Sequence, residues 1–194
     1  MEITRPESKQ PLPSHAKRVW KGGLFEVYEW EQELFDGSFE TFEKLKRRDT
    51  VSVIPVTKEG TIIINLEEQP GHSAPFFTNP AGQLEEGEQV LAGAARELLE
   101  ETGYTAESWE LWHSLQPVTK IDWAVYILIA KGCVKAQEAT PDIGEKIELR
   151  EVTFEQFCSM VATGVIAHDN MRIAVLEAMV YPEKMIELRK LFGF

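Results

Sequence analysis

The sequence predicts an α+β fold, in which helices cover both faces of a mixed β-sheet (an α/β/α sandwich) and a small antiparallel β-unit precedes it. Strand patterns flank a central helical pattern, three more helical patterns close the chain, and aromatic-rich strand patterns fill its start. At 194 residues, the chain exceeds one typical domain of roughly 150 residues and is too short for two. We therefore expect an N-terminal arm and β-unit at 1–48 and a main domain at 49–194.

The first part of the chain predicts an extended arm followed by a hairpin-containing β-unit. Residues 1–16 contain three prolines and no periodic pattern, which favours an extended arm. Segments that alternate or are rich in aromatics follow at residues 18–21, 24–30 and 38–45. A turn signal at Asp36 and Gly37 predicts a hairpin between the last two. These strands are too few to form a hydrophobic core of their own. They must therefore pack on the rest of the chain or on a second chain.

The main domain combines strand patterns with a central helix. Apolar residues between 88 and 102 recur at the spacing of a buried helix stripe, and Gly103 supplies a C-terminal cap. Strands are predicted at residues 51–56, 61–66, 109–115, 121–130 and 146–152. Helices are predicted at residues 153–162, 168–181 and 183–191. This order indicates a mixed sheet between helices.

The composition places the chain among ordinary globular proteins, with 43% hydrophobic and 27% charged residues. The longest apolar run, residues 123–130, is far shorter than the about 20 residues needed to cross a bilayer. The N-terminus lacks the apolar segment of a signal peptide, so we expect a cytoplasmic protein. Cys133 and Cys158 have neither a C-x-x-C spacing nor a nearby His at zinc-ligand spacing, and we interpret them as core thiols.

The net charge of −12 would repel nucleic acid and anionic membranes, so we expect neither as a partner. A phosphorylated substrate would need a metal ion or a local basic patch. Residues 44–48, with four basic side chains, form one such patch, although a solvated strand end explains them equally well.

Three carboxylates of the central helix lie on one arc. At about 100° per residue, Glu100 lies about 60° to one side of Glu97 and Glu101 about 40° to the other. Carboxylates grouped in this way repel one another and suit Mg²⁺ or Mn²⁺, which prefer hard oxygen ligands. The alternative is a solvated acidic face with Arg96 as an ordinary ion-pair partner.

A fixed pattern of residues surrounds this helix. It runs from Gly82 through five residues to Glu88, then through seven residues to Arg96-Glu-Leu-Leu-Glu-Glu-Thr-Gly-Tyr104. This pattern resembles the Nudix box of the Nudix hydrolases. Every fixed position agrees, and the one departure is Tyr104, where the family usually has Ile, Leu or Val. The resemblance implies the Nudix fold and hydrolysis of a nucleoside diphosphate linked to a second group.

The resemblance also implies a role for each residue of the box. Gly82 would shape the loop that brings a backbone carbonyl near the metal, and Glu88 with Arg96 would form an ion pair that holds this loop to the helix. Glu97, Glu100 and Glu101 would bind Mg²⁺ or Mn²⁺. Glu100, Arg96 and Glu88 are also counted among the catalytic residues.

The N-terminal β-unit and Pro80-Ala81-Gly82 resemble the branch of ADP-ribose and nucleotide-sugar pyrophosphatases. The resemblance implies a homodimer in which the two chains exchange that unit, here residues 17–48. Trp30 and Tyr28 could then clamp the base, or they could be buried interface aromatics.

The branch often takes a catalytic glutamate from a mobile loop before the last strand. Residues 138–147 are rich in turn formers and correspond to this loop. We choose Glu145 as the general base, with Asp142 and Glu138 as alternatives.

Three departures bear on the substrate. The branch commonly has an arginine two residues after the position of Gln69, where this chain has Gly71. It often has a glutamate two residues before Pro80-Ala81-Gly82, where this chain has Thr78. A proline beyond the box corresponds to Pro117, but the glycine that usually follows it is missing. Arg47 or Arg48 would then supply the positive charge at the phosphates.

The expected reaction is cleavage of ADP-ribose to AMP and ribose 5-phosphate. Nucleotide sugars, dinucleoside polyphosphates and coenzyme A remain alternative substrates. A non-catalytic nucleotide-binding sensor with the Nudix fold is an alternative of a different class.

Overall fold

The computed structural model describes residues 2–141 and 143–194. Strands in the described residues are β1 (Lys17–Lys21), β2 (Glu26–Glu33), β3 (Phe39–Lys46), β4 (Thr50–Thr57), β5 (Ile62–Glu68), β6 (Phe76–Thr78), β7 (Ala81–Gln83), β8 (Tyr104–Thr105), β9 (Ser108–Leu115), β10 (Ile121–Asp122), β11 (Val125–Lys135) and β12 (Lys146–Val152). Helices are α1 (Val90–Thr102), α2 (Phe154–Thr163), α3 (Asp169–Val180) and α4 (Pro182–Phe192). These helices are too short or too polar to cross a bilayer.

The main sheet is mixed, as the sequence predicts. Its central path is β12-β5-β4-β11-β8, with β6 added to β5, β7 to β4 and β9 to β11. Strands β4 and β11 run parallel, with Thr50 opposite Val125, whereas the other pairs in this sheet are antiparallel. This arrangement brings β7, which precedes α1, against the buried strand β4.

Two hydrophobic layers cover the two faces of the sheet. Alternate side chains of β4 and β11 point to opposite faces because strand residues have a period of two. Val53 and Leu128 pack in the cluster on the α1 side, whereas Ile54 and Ile127 pack against α2, α3 and α4. The predicted sandwich of a mixed sheet between helices is therefore confirmed.

The N-terminal β-unit is a second sheet. Strands β1, β2 and β3 are antiparallel neighbours, and the short β10 adds to β3 in parallel. The predicted continuous strand at 121–130 is therefore wrong in one respect, because its first two residues pair with β3 and the rest forms β11. The carboxylate of Asp49 accepts the backbone N–H of Ala124 at 2.8 Å, and this contact lies where the chain passes from one sheet to the other.

The arm before β1 has no helix or strand in its described residues, 2–16, and packs along the domain. Arg5 forms a bidentate ion pair with Asp49, at 2.7 and 2.9 Å, and a third bond to Asp122 at 3.1 Å. The buried amine of Lys44 donates to the hydroxyl of Ser8 at 3.0 Å. The arm thus crosses the junction between the two sheets.

Helix α1 ends as predicted, at Gly103, which has the positive φ of 76° that glycine adopts without strain. Cys133 and Cys158 are buried free thiols, as expected, and burial raises their pKa values to about 12 and about 11.

Candidate active site

The loop from β7 to α1 lies against the first carboxylate of the box. A Cβ atom on Gly82 would lie 2.1 Å from Oε1 of Glu97, which is closer than non-bonded atoms approach. Gly82 pairs with Val51 on the buried strand β4, so its backbone cannot simply move away. Glycine is therefore required at position 82 because a larger side chain would collide with Glu97.

The ion pair between Glu88 and Arg96, expected from the box, is present. Both contacts are 3.0 Å, from Nε to Oε1 and from Nη2 to Oε2. Nη2 also donates to the backbone carbonyl of Gln83 at 3.0 Å. Hydrogen bonding to Arg96 lowers the pKa of Glu88, so the pair stays charged at neutral pH. Arg96 therefore fastens the loop to the helix at two points.

Arg96 also contacts two of the three carboxylates of the arc. Its Nη1 donates to Glu97 at 2.8 Å and to Glu100 at 3.0 Å. Glu97 is buried, whereas the side chain of Glu100 is 44% exposed. One guanidinium thus offsets part of the repulsion that the sequence predicts for this helix face.

The third carboxylate, Glu101, is held by the sheet. It is 5% exposed, and its Oε1 accepts the backbone N–H of Ala81 at 3.1 Å. Its Oε2 accepts the side-chain amide of Asn65 on β5 at 2.5 Å. Burial raises the pKa of Glu101 to about 9, and the neighbouring carboxylates of Glu145, Glu97 and Glu67 add to the shift. A bound cation would favour the ionised form of this group.

The donor set suits a hard divalent cation. Glu97, Glu100 and Glu101 line one cleft, and Mg²⁺ and Mn²⁺ prefer such oxygen ligands together with water. In the described residues, no three His, Cys, Asp or Glu side chains form a ready-made metal cluster. Arg96 holds two of the carboxylates, and Asn65 and Ala81 hold the third. The side-chain carbonyl of Asn65 is buried and finds no hydrogen-bond partner among residues 2–141 and 143–194, which leaves an acceptor beside Glu101.

The cleft has a volume of about 800 Å³, which lies in the range of small-molecule sites. Glu145, the residue before β12, is half-buried in the wall of this cleft together with the helix carboxylates. Glu138 is not among the lining residues, since its side chain is 89% exposed and pairs with Lys135 at 3.0 Å. Asp142 lies outside the described residues. Of the two described loop glutamates, the structure therefore brings only Glu145 to the box.

A second cleft, of about 740 Å³, adjoins the first and shares Arg47 and Arg48 with it. The guanidinium of Arg47 lies 4.6 Å from the ring centre of Trp123 and 5.8 Å from that of Phe25. Its Nε is buried and has no hydrogen-bond partner in the described part of the chain. Both arginines thus stand where the two clefts meet.

Of the two aromatics expected to clamp the base, only Tyr28 lines a cleft in the single chain. Tyr28 lines the second cleft, and its hydroxyl donates to Glu26 at 2.9 Å. Trp30 lines neither cleft, because it is 5% exposed and packs edge-on against Phe42. This placement corresponds to the alternative interpretation of Trp30 as a buried aromatic, within one chain.

Three residues are not singled out by any sequence motif: Asn65, which contacts Glu101 but lines neither cleft, and Trp123 and His168, which line the first cleft. Asn65 interrupts the apolar run of β5, and this interruption was the available signal. Trp123 fits the apolar pattern of the strand predicted at residues 121–130. His168, at the start of α3, lines the first cleft and carries no sequence signal that distinguishes it from a surface residue.

Comparisons with known proteins agree with this geometry. A family model described as the NUDIX domain matches residues 46–173. The chain is 31% identical, over 153 residues, to an ADP-ribose pyrophosphatase of Bacillus subtilis, covering 75% of this chain and 80% of the relative. It is 28% identical, over 162 residues, to a methanol dehydrogenase activator of Bacillus methanolicus, covering 82% of this chain and 87% of that protein.

A shorter match and a solved structure complete the comparison. Over 71 residues, the chain is 41% identical to an ADP-sugar pyrophosphatase of Mus musculus, covering 34% of this chain and 33% of the relative. A crystal structure of an ADP compounds hydrolase superposes with a TM-score of 0.70 at 18% identity, covering 97% of this chain and 98% of that one, and supports the fold. The chain belongs to the Nudix family, as a hydrolase of phosphoric anhydride bonds that resembles the ADP-ribose and nucleotide-sugar pyrophosphatase branch.

Proposed function

We propose that this Nudix hydrolase cleaves ADP-ribose to AMP and ribose 5-phosphate with the help of Mg²⁺ or Mn²⁺. The observation that carries the proposal is the composition of the first cleft. It joins the carboxylates of α1, the loop glutamate Glu145 and the two arginines Arg47 and Arg48 in one space of about 800 Å³. This set offers cation ligands, a proton acceptor and phosphate-binding groups together.

Each group has a distinct part in the reaction. Glu97, Glu100 and Glu101 would hold the cation, which when bound neutralises pyrophosphate charge and lowers the pKa of an attacking water. Glu145 accepts the proton of the water that attacks one phosphorus. The bond from that phosphorus to the bridging oxygen breaks, and the bridging oxygen leaves on the second phosphate.

Arg47 and Arg48 would hold the phosphates. Arg47 is suited to this because aromatic rings flank its guanidinium and its buried Nε has no partner in the described residues, so donor capacity remains for a phosphate oxygen. The position of both arginines at the junction of the clefts leaves the second cleft, with Tyr28 and Phe25, for the nucleoside.

The relatives support this choice of substrate. The relative that is 31% identical is named an ADP-ribose pyrophosphatase. A nucleotide sugar is the second candidate, favoured by the shorter match to an ADP-sugar pyrophosphatase.

The substrate is tested by incubating the protein with ADP-ribose, ADP-glucose, a dinucleoside tetraphosphate and coenzyme A, each with Mg²⁺. We expect the highest kcat/KM with ADP-ribose and equal amounts of AMP and ribose 5-phosphate, quantified by chromatography. A higher kcat/KM with ADP-glucose would assign the nucleotide-sugar activity instead. Tight binding of ADP-ribose without release of any phosphomonoester would indicate the sensor.

The metal role is tested by Glu101→Gln, which removes charge but almost no volume. We expect turnover to fall at least about 10²-fold, because a cation ligand is lost. Steady-state kinetics with Mg²⁺, Mn²⁺ and chelator measure this effect. Full activity in chelator, or an unimpaired variant, would remove the metal assignment.

The role of Glu145 is tested by comparing Glu145→Gln with Glu138→Gln and Asp142→Asn. If Glu145 takes the proton from water, its replacement lowers kcat by about 10² to 10⁴-fold and leaves KM and metal dependence nearly unchanged. Glu138→Gln is the matched control, since Glu138 is exposed and paired with Lys135. Normal turnover in Glu145→Gln with loss of activity in another of the three variants would move the role to that residue.

We also propose that two chains pair through the N-terminal β-unit. Apolar side chains of this unit are open to solvent in the single chain: Val19 is 52%, Trp20 55% and Phe39 60% exposed. Burial of such side chains favours association, and about 25 cal/mol is gained for each Å² of apolar surface covered.

Light scattering should therefore give twice the chain mass of 22.1 kDa at micromolar concentration. The double substitution Trp20→Lys and Phe39→Lys should shift the protein to a folded monomer, because it places charge in the contact. A wild-type protein that remains a folded monomer would contradict the pairing.

A further inference from the structure

We propose that Asn65 is a positioning residue, which orients the carboxylate of Glu101 for the cation and offers its own carbonyl oxygen to a water of the cation's shell. The inference rests on the proposed metal-dependent hydrolysis and adds to it a residue from outside the box. Asn65 belongs to β5, on the sheet rather than on the helix that carries the carboxylates.

Asn65 stands where an apolar residue would be expected. It follows Ile62, Ile63 and Ile64, which are buried in the sheet, and is itself 0% exposed. Burial of an amide in such surroundings costs free energy unless the amide is hydrogen-bonded, by roughly 1 to 3 kcal/mol in protein mutants. An apolar side chain at position 65 would avoid this cost, so packing alone does not explain an asparagine there.

The role of the amide is visible in its contact to Glu101. The side-chain N–H of Asn65 donates to Oε2 at 2.5 Å, and the backbone N–H of Ala81 donates to Oε1 at 3.1 Å. Each carboxylate oxygen is thus held by a different strand, β5 or β7. Because each oxygen accepts more than one contact, both keep capacity for a cation or its waters. Two donors on two strands fix the plane of the carboxylate.

The other half of the amide supplies a second observation. The carbonyl oxygen of Asn65 is buried and has no hydrogen-bond partner in the described residues. It shares the amide group with the nitrogen that contacts Glu101, so it lies close to that carboxylate. Buried acceptors of this kind are usually satisfied by water, and a hydrated divalent cation brings water molecules that can donate. The orphan oxygen therefore fits a hydrated cation at Glu101.

The chemistry of the neighbours explains why an amide is needed. Glu67, Glu97 and Glu145 already place negative charge around Glu101. Aspartate at position 65 would add a fourth charge and remove the donor, whereas leucine would remove donor and acceptor together. Asparagine is neutral, donates to the carboxylate and keeps an acceptor.

The inference is tested on the whole protein with Mn²⁺ alone, without nucleotide. Electron paramagnetic resonance gives the dissociation constant of Mn²⁺ for the wild type, Asn65→Leu and Asn65→Asp. We expect both variants to bind Mn²⁺ about 10 to 100-fold more weakly, as is usual when a partner of a metal ligand is removed. Ile63→Val, on the same face of the same strand, is the control, and it should change the melting temperature without changing Mn²⁺ affinity.

A double-mutant cycle separates positioning from general stability. If Asn65 acts through Glu101, Asn65→Leu should weaken Mn²⁺ binding in the wild type and have little further effect in Glu101→Gln. Folded Asn65 variants with wild-type affinity for Mn²⁺ would overturn the inference, as would equal effects of Asn65→Leu in both backgrounds. Should Asn65→Leu fail to fold, the same comparison is made with Asn65→Asp.

The same measurements distinguish this inference from the proposed function. A wild-type protein that binds Mn²⁺ through Glu101 and Asn65, yet releases no phosphomonoester from any nucleotide tested, would refute the hydrolysis and leave the role of Asn65 standing. Normal hydrolysis by the wild type, with unchanged Mn²⁺ affinity in the Asn65 variants, would refute only the role of Asn65.

Discussion

The guanidinium of Arg96 is the contact on which the rest of the site depends. It pairs with Glu88 through two hydrogen bonds, donates to the backbone carbonyl of Gln83 in the loop, and also donates to two carboxylates on its own helix, Glu97 and Glu100. Removing it would leave several partly buried carboxylates without a counter-charge, which is the costly way to break such a network. The approach of Gly82 to Glu97 depends on the same contact, because the loop that follows Gly82 is fastened by it.

The carboxylate of Glu101 is held in place by the sheet. Within the described part of the chain, the hydrogen bonds of Glu101 come from the sheet, through Asn65 and Ala81, rather than from Arg96. Strands that form part of a packed core hold a side chain more firmly than a loop does, so the orientation of the Glu101 carboxylate is well defined. Glu145 instead comes from the turn-rich segment just before β12. The site thus joins carboxylates held by hydrogen bonds from the helix and the sheet to a glutamate from a turn-rich segment.

The sequence predicted most elements because their patterns are local. The helix stripe, the cap at Gly103 and the spacing from Glu88 to Arg96 all lie within short stretches, and the structure contains each of them. The predicted strand at 121–130 was wrong at its start. There the backbone N–H of Ala124 donates to the carboxylate of Asp49, which is distant in sequence, and the strand is interrupted. The contact of Asn65 with Glu101 joins residues 36 positions apart, so strand pairing and helix packing must be known before it can be seen.

Charge distribution explains how a chain with a net charge of −12 could hold an anionic substrate. Many basic side chains near the second cleft are already neutralised, as Arg5 is by Asp49 and Asp122. Arg47 differs, because aromatic rings flank it and its buried Nε lacks a partner in the described residues. A phosphate at the junction of the clefts would therefore meet, on one side, an arginine with unused hydrogen-bond donors. Across the cleft it would face carboxylates, which would attract it only if a cation lay between them. Such an arrangement would favour a metal-bound anion over the bare anion, which the carboxylates of α1 would repel.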